Sequence, residues 1–235
     1  MRYLPLFVLF IITVSCSPSR HVVPLGRKER AVSASIGGPM INTANLPIPT
    51  PIPMVSMSYA YGATKKTTRI VALHLTALVY GTYHIEGGFL REWYYNKKSK
   101  IGFTSNLMGN LMFDHNEWNF KFYPQIDVNL YWHFLGDAHY HCDCPKDRGL
   151  NQFIYLGLTN WFELDRKDDN GISEGQRILA NPHFGYNFGS KIIKFNLEVK
   201  YYLPYVNVNS TGIDYFNPMN DYGALGASLG IYKMF

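Results

Sequence analysis

Between Trp118 and Phe134 the chain alternates without a break. Trp118, Phe120, Phe122, Pro124, Ile126, Val128, Leu130, Trp132 and Phe134 are apolar, while Asn119, Lys121, Tyr123, Gln125, Asp127, Asn129, Tyr131 and His133 are polar or phenolic. A period of two dictates a β-strand with one apolar and one wet face. The run is far longer than the usual strand of about five or six residues. Aromatic residues crowd both ends of the apolar row. This is the pattern of a strand that crosses a bilayer, its polar side chains turned into a closed barrel.

The rest of the chain extends the pattern. Strands are predicted at about 30–37, 54–61, 68–80, 82–95, 101–113, 118–134, 152–164, 178–188, 191–203 and 222–235. The fold class is therefore all-β: a transmembrane antiparallel up-and-down barrel of about ten strands, within a range of eight to twelve. Stretch 191–203 shows the alternation best, with Ile193, Phe195, Leu197, Val199, Tyr201 and Leu203 outward and Lys194, Asn196, Glu198 and Lys200 inward. In the third and fourth strands the outward rows include Leu75, Ala77 and Val79, then Trp93 and Tyr95. Aromatics make up 16% of the chain against 17% charged residues, and mean hydropathy is only −0.12. A barrel hides its polar half in the lumen, so an ordinary mean does not exclude a membrane protein. No apolar run reaches the roughly 18 residues of a transmembrane helix.

Connections alternate short and long, as they do when both chain ends lie on one side. Two depart from this: 79–82 is very tight where a long loop is expected, and 136–150 is long where a tight turn is expected. Pro124 and Pro182 fall inside predicted strands, where each removes a ladder hydrogen bond and marks either a bulge or a strand end.

Before the barrel, Arg2 and the apolar run from Leu4 to Val14 read as an export signal. Val14-Ser15-Cys16 resembles the end of a bacterial lipoprotein lipobox, and that resemblance implies a diacylglyceryl group on Cys16. A plainly cleaved signal and a buried N-terminal helix are the other readings. The organisation expected is a signal at 1–15, a lipidated tether at 16–28 and a barrel at 29–235. Arg20, Arg27 and Lys28 give the tether a basic character that suits a lipid headgroup surface. A net charge of +5 from dispersed cations gives nucleic-acid binding no support.

Export signal, alternation, aromatic strand ends and the terminal Phe235 together resemble the small bacterial outer-membrane β-barrels. The resemblance covers about 29–235, implies residence in the outer membrane, and brings no catalytic residues with it.

The inward face carries Lys121, Asp127, Glu163, Lys194, Glu198 and Lys200, with His74, His84, Glu86, His133 and His183. Ten strands make a lumen that side chains largely fill, so these groups read first as an electrostatically paired network and second as a conducting or binding lumen. A lipid-A-deacylase-like enzyme needs a serine beside a histidine and an acid. His183 has no suitably spaced serine on its own strand. An omptin-like protease needs acids and a histidine at the outer rim; Asp114, His115 and Glu117 occupy such a tip but read as a polar turn.

Two further features stand out. His139, His141, Cys142 and Cys144 put two imidazoles and two thiols within six residues. They read as a short disulfide ring, as reduced thiols, or as a soft-metal site of no standard zinc spacing. Pro47, Pro49, Pro51 and Pro53 fall at every second residue and predict an extended segment that donates nothing to a ladder: a stiff lid or a partner-binding strap. No cofactor is expected beyond the lipid on Cys16. The function expected is a structural or accessory subunit of a larger outer-membrane assembly, secretion or transport complex, with outer-membrane lipid and other outer-membrane proteins as partners. A narrow channel or small-solute binder is the alternative, and an outer-membrane lipid-modifying enzyme or protease the next.

Overall fold

The computed structural model describes residues 21–42, 48–115, 118–136, 150–163, 178–207, 213–218 and 222–235. Eleven strands occur among the described residues: β1 Arg30–Ile41, β2 Thr50–Pro51, β3 Met54–Thr64, β4 Thr67–His74, β5 Thr82–Asn96, β6 Ile101–Asp114, β7 Asn119–Leu135, β8 Asn151–Phe162, β9 Ile178–Gly189, β10 Ile193–Asn207 and β11 Tyr222–Met234. All but β2 form one antiparallel meander, β11-β10-β9-β8-β7-β6-β5-β4-β3-β1, and β1 pairs with β11 to close it. The ten-stranded barrel expected from the alternation is what forms, and closure gives each of its strands a neighbour on both sides.

Burial is inverted relative to a water-soluble core. Met57, Val71, Ile85, Leu107, Leu130, Leu156, Leu197 and Leu229 are exposed on the outer wall. Thr104, Asn106, Asn129, His183, Glu198 and Lys200 are buried within. Polar groups inside and a continuous apolar band outside are what a barrel in hydrocarbon requires. No helix among the described residues is long and apolar enough to cross a membrane, which says nothing of a barrel.

Both ends of the barrel wall lie together, with Phe235 N–H donating to Arg30 O at 2.8 Å. The turns after β3, β5, β7 and β9 lie at this terminal end, and the remaining connections lie at the opposite, loop end. Gly136 and Leu150, between which a tight turn was expected, are therefore at the terminal end. The tight 79–82 turn disappears: β4 stops at His74, and helix α1, Leu75–Val79, makes the connection. The predicted outward row of Leu75, Ala77 and Val79 is corrected accordingly. Thr76 holds the helix in place, its Oγ1 accepting Val55 N–H at 2.7 Å and donating to Pro53 O at 3.2 Å.

Two further corrections are local. The β5–β6 register shifts between Glu92 and Tyr94, a bulge that re-aims the last residues of β5. Tyr95, predicted outward, consequently stacks inside on Tyr131 at 6.2 Å. Trp118, predicted as the first residue of its strand, takes φ 54° in the turn before β7 and is exposed.

The prolines are accommodated by position. Pro124 pairs with Gly109 of β6, but the β7–β8 ladder begins only at Gln125. Pro182 pairs with Leu158 of β8, but the β9–β10 ladder begins only at His183. Each missing N–H thus falls where only one neighbour needs a donor, and neither strand is interrupted there. The proline-rich segment is not donor-free: Ile52, between Pro51 and Pro53, donates to Pro39 O at 2.9 Å, and β2 pairs with Met40 and Ile41. Ile52 packs with Met54 and Tyr202 and with Tyr215 and Ala224, so this part of the segment is seated on the barrel wall.

Candidate functional site

The lumen is occupied from the terminal end by the chain's own residues 21–29. The part of the expected tether from His21 onward enters the barrel: His21, Val22 and Leu25 are buried. Leu25 N–H donates to Thr68 Oγ1 at 2.8 Å, and its side chain packs with Ala31, Ala60, Ile70, Leu90 and Met108. Val22 O accepts Thr104 Oγ1–H at 2.8 Å, and its side chain packs against Tyr131, Phe153 and Tyr155. Asn106 Nδ2 reaches His21 O at 3.3 Å, and the His21 ring meets Tyr232 edge-on at 4.9 Å. The wall thus supplies partners to the segment's backbone and apolar cups to its side chains, as a peptide site does.

The segment leaves the lumen over the rim at Gly62. Lys28 N–H donates to Gly62 O at 2.8 Å, Gly62 N–H donates to Glu29 O at 2.9 Å, and Gly26 N–H donates to Glu29 Oε2 at 2.7 Å. A Cβ on Gly62 would lie 1.9 Å from Gly26 O, so only glycine admits this close backbone crossing. What space remains here is a cavity of about 30 Å³, lined among others by His21, Glu29, Phe153 and Lys194. That is room on the scale of a single water.

Beyond the segment, side chains fill the barrel. Tyr131 OH donates to Glu92 Oε2 at 2.5 Å, and Tyr155 OH lies 3.0 Å from Asn196 Oδ1 and 2.9 Å from Glu198 Oε2. Glu198 and Lys200 pair at 3.3 Å with both side chains buried. Asn110 Nδ2 donates to Gln125 Oε1 at 3.0 Å, and Gln125 Nε2 donates to Asp127 Oδ1 at 2.8 Å. The chain of contacts runs on to the segment, because Asn106 Nδ2 lies 3.5 Å from Asp127 Oδ2 and also reaches His21 O. Toward the loop end His74 Nε2 meets Glu86 Oε1 at 2.5 Å, and the rings of His74 and His84 stack at 3.7 Å. Beside them Met112, Tyr123 and Trp161 form an apolar cluster.

Of the residues predicted to line the lumen, His84, Glu86, Asp127, Glu198 and Lys200 do so. Lys194 is half-buried beside Glu29, and Glu163 is half-buried just past the end of β8. Lys121 is exposed, which corrects the prediction: β7 runs on past the first β8 pairing, Gln125 with Trp161, so this end of β7 stands beyond its neighbouring strand. His183 is held by Asn129 Oδ1 at 2.8 Å and lies 3.4 Å from Thr159 Oγ1. Both His183 and Thr159 are buried. His115 is exposed at the loop-end tip beside Trp118. Cys16, Glu117, Pro47 and the cluster His139, His141, Cys142 and Cys144 lie outside the described residues. The lumenal segment is what sequence reading missed. Its signal was the apolar run Val22-Val23-Pro24-Leu25, which a solvated tether has no use for.

No family model and no curated protein matches the chain. Among solved structures it is similar to the NanC porin at 9% identity and a TM-score of 0.44, covering 87% of this chain and 98% of that one. LpxR from Salmonella typhimurium is similar at 8% identity and a TM-score of 0.43, covering 88% and 100%. The outer membrane protein OprG from Pseudomonas aeruginosa is similar at 9% identity and a TM-score of 0.31, covering 92% and 99%. At such identities and scores no residue role passes from them to this chain. Ten closed antiparallel strands, apolar outside and polar within, give this chain the fold of a small bacterial outer-membrane β-barrel.

Proposed function

We propose that the chain is an integral outer-membrane barrel that does not conduct, and that it serves as a structural or accessory subunit of a larger outer-membrane assembly, anchored additionally by a lipid on Cys16. The observation that carries this reading is the occupied lumen. Residues 21–25 are seated in it by main-chain hydrogen bonds, and a packed polar network fills what lies beyond. A pore needs a continuous water path, and a binder needs a cavity of several hundred Å³. Beside the segment, the space left is a cavity of about 30 Å³, which suits neither. The surfaces left for a partner are the outer wall and the connections, with Pro49, Pro51 and Pro53 beside the loop-end rim.

The test is a tagged pull-down from native outer membranes in mild detergent, with native sizing and metabolic palmitate labelling. Stoichiometric co-purification with another membrane protein, and label that disappears in Cys16→Ser, are expected. A lone monomer that shows discrete openings in planar bilayers would replace this reading with a channel. Unchanged label in the Cys16→Ser variant would remove the anchor.

A further inference from the structure

We propose that His74, His84 and Glu86 form a binding site for a divalent transition-metal ion of the zinc class at the loop end of the lumen. One ligand atom from each residue lies within 4.8 Å of those of the other two. Two imidazoles and one carboxylate are a donor set that binds Zn²⁺ with a position left for water. The set is assembled from two strands. His74 is the last residue of β4, and it stands one step beyond the Leu73–Ile85 pair of the β4–β5 ladder. His84 and Glu86 alternate on β5 and so share its inner face.

The hydrogen bonds around the cluster prepare it for a cation. Asn110 spends its Nδ2 protons on Tyr123 O at 3.2 Å and Gln125 Oε1 at 3.0 Å. Its Oδ1, 3.1 Å from His84 Nε2, therefore accepts, and His84 is the donor there. That tautomer places the lone pair of His84 on Nδ1, the nitrogen that would bind the ion. A metal-bound imidazole ordinarily gives its other N–H to an acceptor of this kind. His74 and His84 stack with their planes 3° apart and their centroids 3.7 Å apart.

Tetrahedral zinc needs its ligand atoms roughly 3.3 Å apart. The cluster therefore closes on the ion by rotation of His74, which ends its strand and is 12% exposed, whereas Glu86 is 3% exposed. The same exposure gives the ion its way in from the loop end. The Trp161 ring, 6.2 Å from that of His84, closes the inner side.

The test uses the full chain, refolded in detergent micelles, stripped with chelator and titrated with Co²⁺ and then Zn²⁺. A background of Cys142→Ser, Cys144→Ser, His139→Ala and His141→Ala removes the other thiol and imidazole cluster. One equivalent of Co²⁺ with visible d–d absorption is expected, displaced by Zn²⁺. His84→Ala and Glu86→Gln should each weaken binding at least about tenfold, while His115→Ala should not change it. The mobility shift of unheated protein on denaturing gels reports whether each variant is folded. Should the two buried variants fail to fold, His74→Ala, at the partly exposed strand end, carries the test. Folded wild-type background without saturable Co²⁺ binding, or binding undiminished in His74→Ala, overturns the site.

Discussion

Single residues in this barrel are constrained by the segment that fills the lumen as well as by their strand neighbours. Gly62 is an example: its hydrogen would be replaced by a Cβ 1.9 Å from the backbone oxygen of Gly26. Gly62→Ala is therefore expected to dislodge the segment crossing and to cost about 1–3 kcal/mol. Urea unfolding in micelles measures the cost, and faster proteolysis after Arg27 or Lys28 in the folded barrel reports the dislodged segment. Glu198 and Lys200 show a different constraint, since both side chains are buried at 3.3 Å from one another. Lys200→Met leaves a buried carboxylate without its cation and should destabilise the barrel by roughly 3–5 kcal/mol, whereas the double change Glu198→Gln, Lys200→Met should recover most of the loss. Equal losses in the single and double variants would show that the pair is not what holds this level of the lumen.

At the scale of the element, the wall is regular where its period is undisturbed and breaks for identifiable reasons. β4 ends at His74 because Thr76 takes up the Val55 amide and the Pro53 carbonyl, which turns α1 back over β3. Thr76→Val removes both bonds, and the loss expected is about 1 kcal/mol, with faster hydrogen exchange at Val55 as the direct sign. The outer face obeys the bilayer instead. Leu107 is exposed midway along β6, where arginine is expected to cost about 2–4 kcal/mol in lipid vesicles. A cost near zero would mean that position 107 does not face hydrocarbon. Period-two reading placed these outward rows correctly through most of the chain, because side-chain direction is local geometry. It failed at Tyr95 and at Leu75 to Val79, where a bulge and a helix reset the alternation; Gly81, at φ 83° just past the helix, was a sign of the helix end.

For the whole molecule the deciding fact is that the barrel is filled by a segment of its own chain. Val22 sits among Tyr131, Phe153 and Tyr155, so Val22→Asp should expel the segment without touching the wall. Planar-bilayer recordings are the measure: silence from the full chain, and openings from Val22→Asp or from a chain lacking residues 17–25. Silence from all three would mean that the side-chain network beyond Asp127 is itself the seal.

What the amino-acid sequence determined by itself was the wall: an all-β chain, ten strands near their observed positions, and which face of most strands meets lipid. Those properties come from a period of two and from turn residues, both of which act over a few neighbours. It also named most of the inward charges. Only the tertiary structure decided how those charges meet, because ladder register and barrel curvature bring Asn106 to Asp127 and His74 to Glu86 from different strands. Closure decided the rest. A run such as Val22-Val23-Pro24-Leu25 has no face of its own to bury, and it finds apolar surroundings only once ten strands have curled into a lumen around it.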